Sequence, residues 1–136
     1  NSAGDTCAVT CKREGIGAPA FIRIYQNING TWAETAQIDP PINYEGASYR
    51  FGGSYSFNAS GDTLAVGNRG YPDPSAGYGY GPDSKRLFVF RFKNGSWQEL
   101  GQKVADGWNC MLNSAGDRFI AVDNDTDDCS VFELDS

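Results

Sequence analysis

The chain has 136 residues, room for one domain, and 40% of them are hydrophobic, enough for a packed core. Its net charge is −6 and its 11 basic residues form no cluster, which argues against nucleic acid, whose binding leans on phosphate neutralisation by Lys and Arg. It contains no histidine, which excludes Ser-His-Asp and Cys-His catalysis and most zinc sites with imidazole ligands, and no apolar run of roughly 18 residues, so no helical membrane span is expected.

The chain opens on Asn1-Ser2-Ala3-Gly4-Asp5, whose Gly and Asp tolerate turn geometry, followed by the short apolar run Thr6-Cys7-Ala8-Val9. No charged-then-apolar leader pattern stands at this end. Next come Phe21-Ile22-Arg23-Ile24-Tyr25 and then Asn29-Gly30-Thr31-Trp32. Asn-Gly between two β-rich runs is the strongest short-range hairpin signal. Both phrases then recur. The turn phrase returns as Asn58-Ala59-Ser60-Gly61-Asp62-Thr63-Leu64-Ala65-Val66, and again from Asn113 to Val122 with one residue inserted or the register loosened. The phrases start at 1, 58 and 113, so the copies lie 57 and 55 residues apart. The hairpin phrase returns as Leu87-Phe88-Val89-Phe90-Arg91-Phe92 with Asn94-Gly95-Ser96-Trp97, and in part as Ser130-Val131-Phe132-Glu133-Leu134.

With strands lettered A to D within a copy, the middle copy predicts A near Arg50–Asn58, B at Thr63–Gly67, C at Arg86–Lys93 and D at Ser96–Val104. No window carries helical periodicity, so no helix is predicted. Repeats of this length with four strands each are the propeller pattern. The expected fold is all-β: consecutive four-stranded antiparallel propeller-type blades, about two and a half of them, in ten strands. The divisions are 1–44 (strands B to D), 45–106 (A to D) and 107–136 (A to C).

Phe51-Gly52-Gly53-Ser54-Tyr55-Ser56, Gly61-Asp62-Thr63-Leu64-Ala65-Val66-Gly67, Leu87-Phe88-Val89-Phe90 and Gly95-Ser96-Trp97 together resemble the FG-GAP repeat. In that family each copy is one propeller blade, and members are mostly extracellular adhesion, matrix or cell-surface proteins, including integrin α-chain heads. The resemblance implies an extracellular location. Closed propellers use about 4–8 blades, so ten strands leave open faces and edges. Three readings follow: a segment of a longer propeller, copies that cover one another's open ends, or a compact irregular β-domain.

Four N-x-S/T sequons, at Asn29, Asn58, Asn94 and Asn124, are candidate glycosylation sites, although Asn, Gly, Ser and Thr are also ordinary turn residues. Cys7, Cys11, Cys110 and Cys129 are disulfide candidates suited to an oxidising compartment, or else buried free thiols. On one straight strand Cys7 and Cys11 would stand about 13 Å apart at ~3.3 Å per residue, too far for the roughly 4.4–6.8 Å of a disulfide. Cys7, at the place of Leu64, is expected to face a core. Asp123, Asp125 and Asp127 resemble the start of a calcium loop but lack its Gly and distal Glu, so calcium is weighed against a plain acidic turn. Tyr71, Tyr78 and Tyr80, on a Gly/Pro-rich stretch between strands B and C, are candidate contacts for a partner chain or a glycan. Trp32 and Trp97 are expected in the core between blades.

Asp62 and Asp117 recur because their turn recurs, whereas a catalytic acid is usually unique. The expectation is therefore a non-enzymatic extracellular structural or assembly module, glycosylated, acting as scaffold or subunit of a surface fibre or matrix by self-association. The alternative is a carbohydrate- or receptor-binding propeller segment of a larger adhesion protein.

Overall fold

The computed structural model describes residues 1–11, 20–40, 51–68, 86–103, 109–123 and 128–134. Ten strands run through them: β1 (Thr6–Cys11), β2 (Phe21–Ile28), β3 (Thr31–Ile38), β4 (Phe51–Phe57), β5 (Thr63–Asn68), β6 (Arg86–Lys93), β7 (Ser96–Lys103), β8 (Asn109–Leu112), β9 (Arg118–Asp123) and β10 (Asp128–Glu133). They form three antiparallel sheets, β1-β2-β3, β4-β5-β6-β7 and β8-β9-β10, each in chain order. This is the expected blade series: B to D, then A to D, then A to C.

Turn chemistry sets the hairpins. Asn29 and Gly30 take φ of 53° and 85°, and Asn94 and Gly95 take 54° and 81°. Two successive positive φ angles make the turn whose twist matches its flanking strands, and Asn-Gly is the pair that tolerates it. Both hairpins also shift register at the same point, between Ile24 and Tyr25 and between Val89 and Phe90.

One backbone bond fixes how the copies align. The amide of Asn27 donates to the carbonyl of Asp5 at 2.8 Å, that of Phe92 to Asp62 at 2.7 Å and that of Leu134 to Asp117 at 2.7 Å. The third copy therefore carries no inserted residue, correcting the sequence expectation. Ile120 stands at the place of Ala65, and Ala121 at the place of Val66. Because side chains alternate along a strand, that one-residue correction exchanges which apolar residues face which way.

The sheets stack face to face. The trailing face of the first sheet (Ala8, Ile22, Ile24) packs on the leading face of the second (Leu64, Val66, Phe88, Phe90), with Phe51 in edge-to-face contact with Phe88 and Phe90. The trailing face of the second (Ala65, Leu87, Val89) packs on Phe119, Ala121 and Cys110 of the third. Each Leu, Ile, Val or Phe side chain buried in this way contributes roughly 1.5–3 kcal/mol, so the inter-sheet faces hold the fold.

The two Trp residues differ. Trp97 is half-buried, with ring centroids 6.1 Å from Phe57 and 5.7 Å from Phe92. Trp32 is 48% exposed, against the sequence expectation. Among the described residues the first sheet has no strand in the place of β4, and Asn27 stands where Phe92 does, so the indole lacks the aromatic bed that Trp97 has.

Gly52 lets β4 approach the first sheet. It has φ of 75°, and a Cβ there would lie 2.7 Å from Thr10 Oγ1 and 3.0 Å from Ile22 Cγ1. Thr10 Oγ1 donates to the Gly52 carbonyl at 2.6 Å. Gly52→Ala is expected to cost about 2 kcal/mol, from left-handed strain together with the displaced Thr10 hydrogen bond, read as a lowered urea midpoint with unchanged slope.

Candidate functional site

The three Asn-x-x-Gly-Asp turns build the same polar knot. Asn58 Oδ1 accepts from the backbone amides of Gly61, Asp62 and Thr63 at 3.1, 3.1 and 3.0 Å. Its Nδ2 donates to Asp62 Oδ1 at 2.7 Å and to Ser60 Oγ at 3.0 Å. Asn113 does the same for Gly116, Asp117 and Arg118, with Nδ2 donating to Asp117 Oδ1 at 2.6 Å. Asn1 accepts from the amides of Asp5 and Thr6 and donates to Asp5 Oδ1 at 2.7 Å. An amide carries its acceptor oxygen and its NH2 donor on separate atoms, so one short side chain can hold several backbone amides and a carboxylate at once, which suits Asn to this place.

These knots also touch one another. A Cβ on Gly61 would lie 2.8 Å from Asn1 Nδ2, and a Cβ on Gly116 would lie 2.8 Å from Asn58 Nδ2. Ser2 Oγ donates to the Ala59 carbonyl at 3.0 Å, and the Ala59 amide donates to the Ser114 carbonyl at 3.0 Å. Each Asn thus seats on the glycine of the next turn, forming a ladder along one edge of the stack. Among the described residues the contact is not made at the two ends: Gly4 has nothing within 4 Å of its would-be Cβ, and no glycine meets the Asn113 side chain. In the sequence the Gly-Asp pair marks the turn, while the bonds that hold it come from the Asn at the head of all three phrases.

The sheet faces end in the same way. Ile120, Cys129 and Val131 occupy the places of Ala65, Leu87 and Val89, all buried between sheets two and three. Ile120 is 43% exposed, Val131 65%, and Met111 beside them on β8 71%. On the leading face of the first sheet, Cys7 and Val9 stand at the places of Leu64 and Val66 and are exposed. Cys7 therefore faces outward, because no sheet stands in front of it within the described residues. Arg23, at the place of Phe88, holds Glu34 at 3.5 Å.

All four cysteines are free thiols. Cys7 and Cys11 share the strand β1, Cys129 is exposed on β10, and Cys110 is buried with its Sγ 3.6 Å from Ser54 Oγ. Burial pushes the Cys110 thiol up to about 11, against hydrogen bonds from Ser54 and the Gly67 backbone that lower it. The thiolate is the reactive form. Cys110 is expected to resist iodoacetamide at pH 8 while the chain is folded and to react on denaturation, as read by peptide mass spectrometry.

Of the sequons, Asn29 and Asn94 stand exposed on their hairpin turns. Asn58 is only 4% exposed and its amide nitrogen is engaged, so this sequon is not offered to solvent. Asn124, Asp125, Asp127, Tyr71, Tyr78 and Tyr80 lie outside the described residues, and Asp123 ends β9. Among the described residues no group of three or more acidic, Cys or His side chains could hold a metal ion.

Two turn carboxylates, Asp5 and Asp62, titrate with the fold. Hydrogen bonds from Asn1 and Thr6 hold Asp5 below the usual carboxylate value. At Asp62 partial burial raises the value, but hydrogen bonds from Asn58, Thr63 and Ser60 and the charge of Arg91 outweigh it, so its pKa is also lowered. A carboxyl with a lowered folded pKa contributes stability that is complete above its ordinary value, 3.8, and is lost as pH falls through the folded value. Urea midpoints are expected to drop below about pH 4, less steeply in Asp62→Asn.

A search with protein-family models and one among curated proteins each found no match. A comparison with solved structures finds the same fold elsewhere, and one such neighbour is informative. It is from Bacteroides fragilis and is described as "a putative 6-phosphogluconolactonase"; it aligns at a TM-score of 0.57 and 17% identity over 85% of this chain and 29% of its own. The chain is thus all-β and propeller-like, and it spans under a third of the length of that neighbour. The comparison also overturns the expected non-enzymatic extracellular structural or assembly module. A protein described as an enzyme shares this arrangement, so repeated β-blades do not mark a matrix or fibre subunit.

Proposed function

We propose that the chain is an arc of a β-propeller, contributing blades to a ring that further blades of the same repeat complete. The observation that carries this reading is the turn ladder. The Asn1–Gly61 contact repeats as Asn58–Gly116, and the two unused halves, Gly4 and Asn113, stand at opposite ends. The bare apolar positions Ile120 and Val131 match residues that the next sheet covers in the middle blade. The resemblance to the FG-GAP repeat and the partial coverage of a longer propeller-like structure support the same reading. In such a ring, binding and chemistry belong to the completed assembly.

Two copies of the sequence joined in tandem test it. Stacking between the third and fourth blades is expected to raise the urea unfolding slope above that of the single chain and to slow amide exchange in β9 and β10 of the first copy. Tandem copies that unfold as independent beads, with β9 and β10 exchanging as in the single chain, would sink the proposal.

A further inference from the structure

We propose that Asn29 is a site of chemical modification, converted through a cyclic imide to aspartate and isoaspartate when the first hairpin opens, and that its counterpart Asn94 is held back by the aromatic pair beside it.

Asn-Gly occurs in the chain at 29–30 and at 94–95. The asparagines of the knots are placed differently. Asn1, Asn58 and Asn113 each engage both the oxygen and the nitrogen of the side-chain amide, and each is followed by Ser or Ala. Asn29 and Asn94 stand exposed at their hairpin tips. The glycine after each has nothing within 4 Å of a would-be Cβ. A residue without Cβ leaves its backbone nitrogen open to close approach.

The reaction needs only water. The Gly30 backbone nitrogen attacks Cγ of Asn29. The N–Cγ bond forms, the Cγ–Nδ2 bond breaks, and Nδ2 leaves as ammonia with the proton that the Gly30 amide gives up. Water then opens the imide at either carbonyl. Opening on the side-chain side leaves aspartate. Opening on the backbone side leaves isoaspartate, with the main chain running through Cβ and Cγ. One water enters and one ammonia departs.

The closed turn forbids the attack. With φ of 53° at Asn29 and 85° at Gly30, the tip is the mirror form of a type I turn, whose first residue holds ψ at about +30°. At that ψ the Gly nitrogen lies across the Cα–C bond from Cβ, out of reach of Cγ. Conversion therefore runs through opened hairpins, and its rate follows how often the tip opens.

The two tips differ in the pair that closes them. Beside the second turn Phe92 faces Trp97 across the strands, with ring centroids 5.7 Å apart, and Trp97 also rests on Phe57. Beside the first turn Asn27 faces Trp32, which stands largely in solvent. A cross-strand aromatic pair adds stability that an Asn–Trp pair does not, so the first tip opens more often. Isoaspartate lengthens the backbone of a two-residue turn that sets the register of β2 on β3. The product thus loosens the hairpin that admitted the reaction.

Peptide mass spectrometry that separates the Asn, Asp and isoaspartyl forms tests this, on the folded chain held at mildly alkaline pH. Asn29 is expected to convert about fivefold faster than Asn94, the factor that one aromatic pair supplies. In urea both are expected to convert faster and at nearly equal rates. Asn27→Phe is expected to slow Asn29, and Phe92→Asn to speed Asn94. Both positions are exposed, so thermal midpoints are expected to stay near wild type, which separates opening of the tip from unfolding of the chain. Equal conversion of the two sites in the folded chain overturns the assignment, as does a faster Asn94. Conversion as fast in the folded chain as in urea shows that the turn does not gate the reaction and overturns it too. Substitutions at 27 and 92 that leave both rates unchanged remove the aromatic pair as the cause.

Discussion

Asn58→Ala is expected to be the most damaging single change in the middle turn, costing about 3 kcal/mol. Three backbone amides lose their acceptor, and they differ in what they can do next. Asp62 lies at the surface, so its amide can turn to water. The Gly61 amide also reaches the Asn58 carbonyl at 3.2 Å and keeps that partner. The Thr63 amide is buried and has no such fallback, and an orphaned buried donor costs about 1–3 kcal/mol. The rest comes from the freed Asp62 carboxylate and from the packing lost against Gly116. Against a total stability of about 5–15 kcal/mol, a loss of this size lowers the urea midpoint substantially. Asn58→Asp separates the acceptor from the donor. It keeps the oxygen for the three amides but sets a second carboxylate against Asp62, where a 2.7 Å donor stood. Like charges at that distance disfavour joint ionisation, so one carboxyl titrates at a raised pH. Asn58→Asp is therefore expected to be as unstable as Asn58→Ala at pH 7 and to recover part of the difference near pH 4–5, where one carboxyl takes a proton. A deficit in Asn58→Asp that does not shrink on acidification would show that Nδ2 contributes nothing.

Much of this architecture was legible in the sequence because its signals are local. The Asn-Gly pairs at 29–30 and 94–95 dictate their turn from backbone preference alone, and the strands flanking the second pair fall within a residue of expectation. The recurrence of Asn-x-x-Gly-Asp likewise sufficed to count the sheets. What escaped reading depends on neighbours in space. Trp32 and Trp97 follow the same hairpin, yet one is bare because its sheet has Asn27 and not Phe92 beside it. Cys7 matches Leu64 in sequence but lacks a sheet in front of it. In the third copy the similarity of Ala65-Val66 to Ala121-Val122 suggested an insertion that the Leu134–Asp117 bond rules out. A one-residue shift inverts which face is apolar, and only pairing partners reveal it. Asn58 was legible as a sequon or a turn residue, while its structural task is a knot whose bonds span five residues.

The second large effect is expected at Gly116, and its contrast with Gly4 isolates the ladder. Gly4 and Gly116 share nearly the same backbone, with φ of 71° and 74°. Alanine at either position meets the left-handed strain of a residue bearing a Cβ, about 1 kcal/mol. At Gly4 nothing more is met. At Gly116 the new methyl falls 2.8 Å from Asn58 Nδ2, 3.0 Å from its Cβ and 3.1 Å from its Cγ. Asn58 cannot swing away without releasing the amides that it holds. The third sheet must then shift against the second, disturbing the packing of Phe119 and Ala121 on Ala65 and Val89. Gly116→Ala is expected to cost about 3 kcal/mol in the single chain, three times Gly4→Ala measured at the same dilution. Equal losses at the two glycines would mean that the Asn–Gly contacts between blades carry no energy.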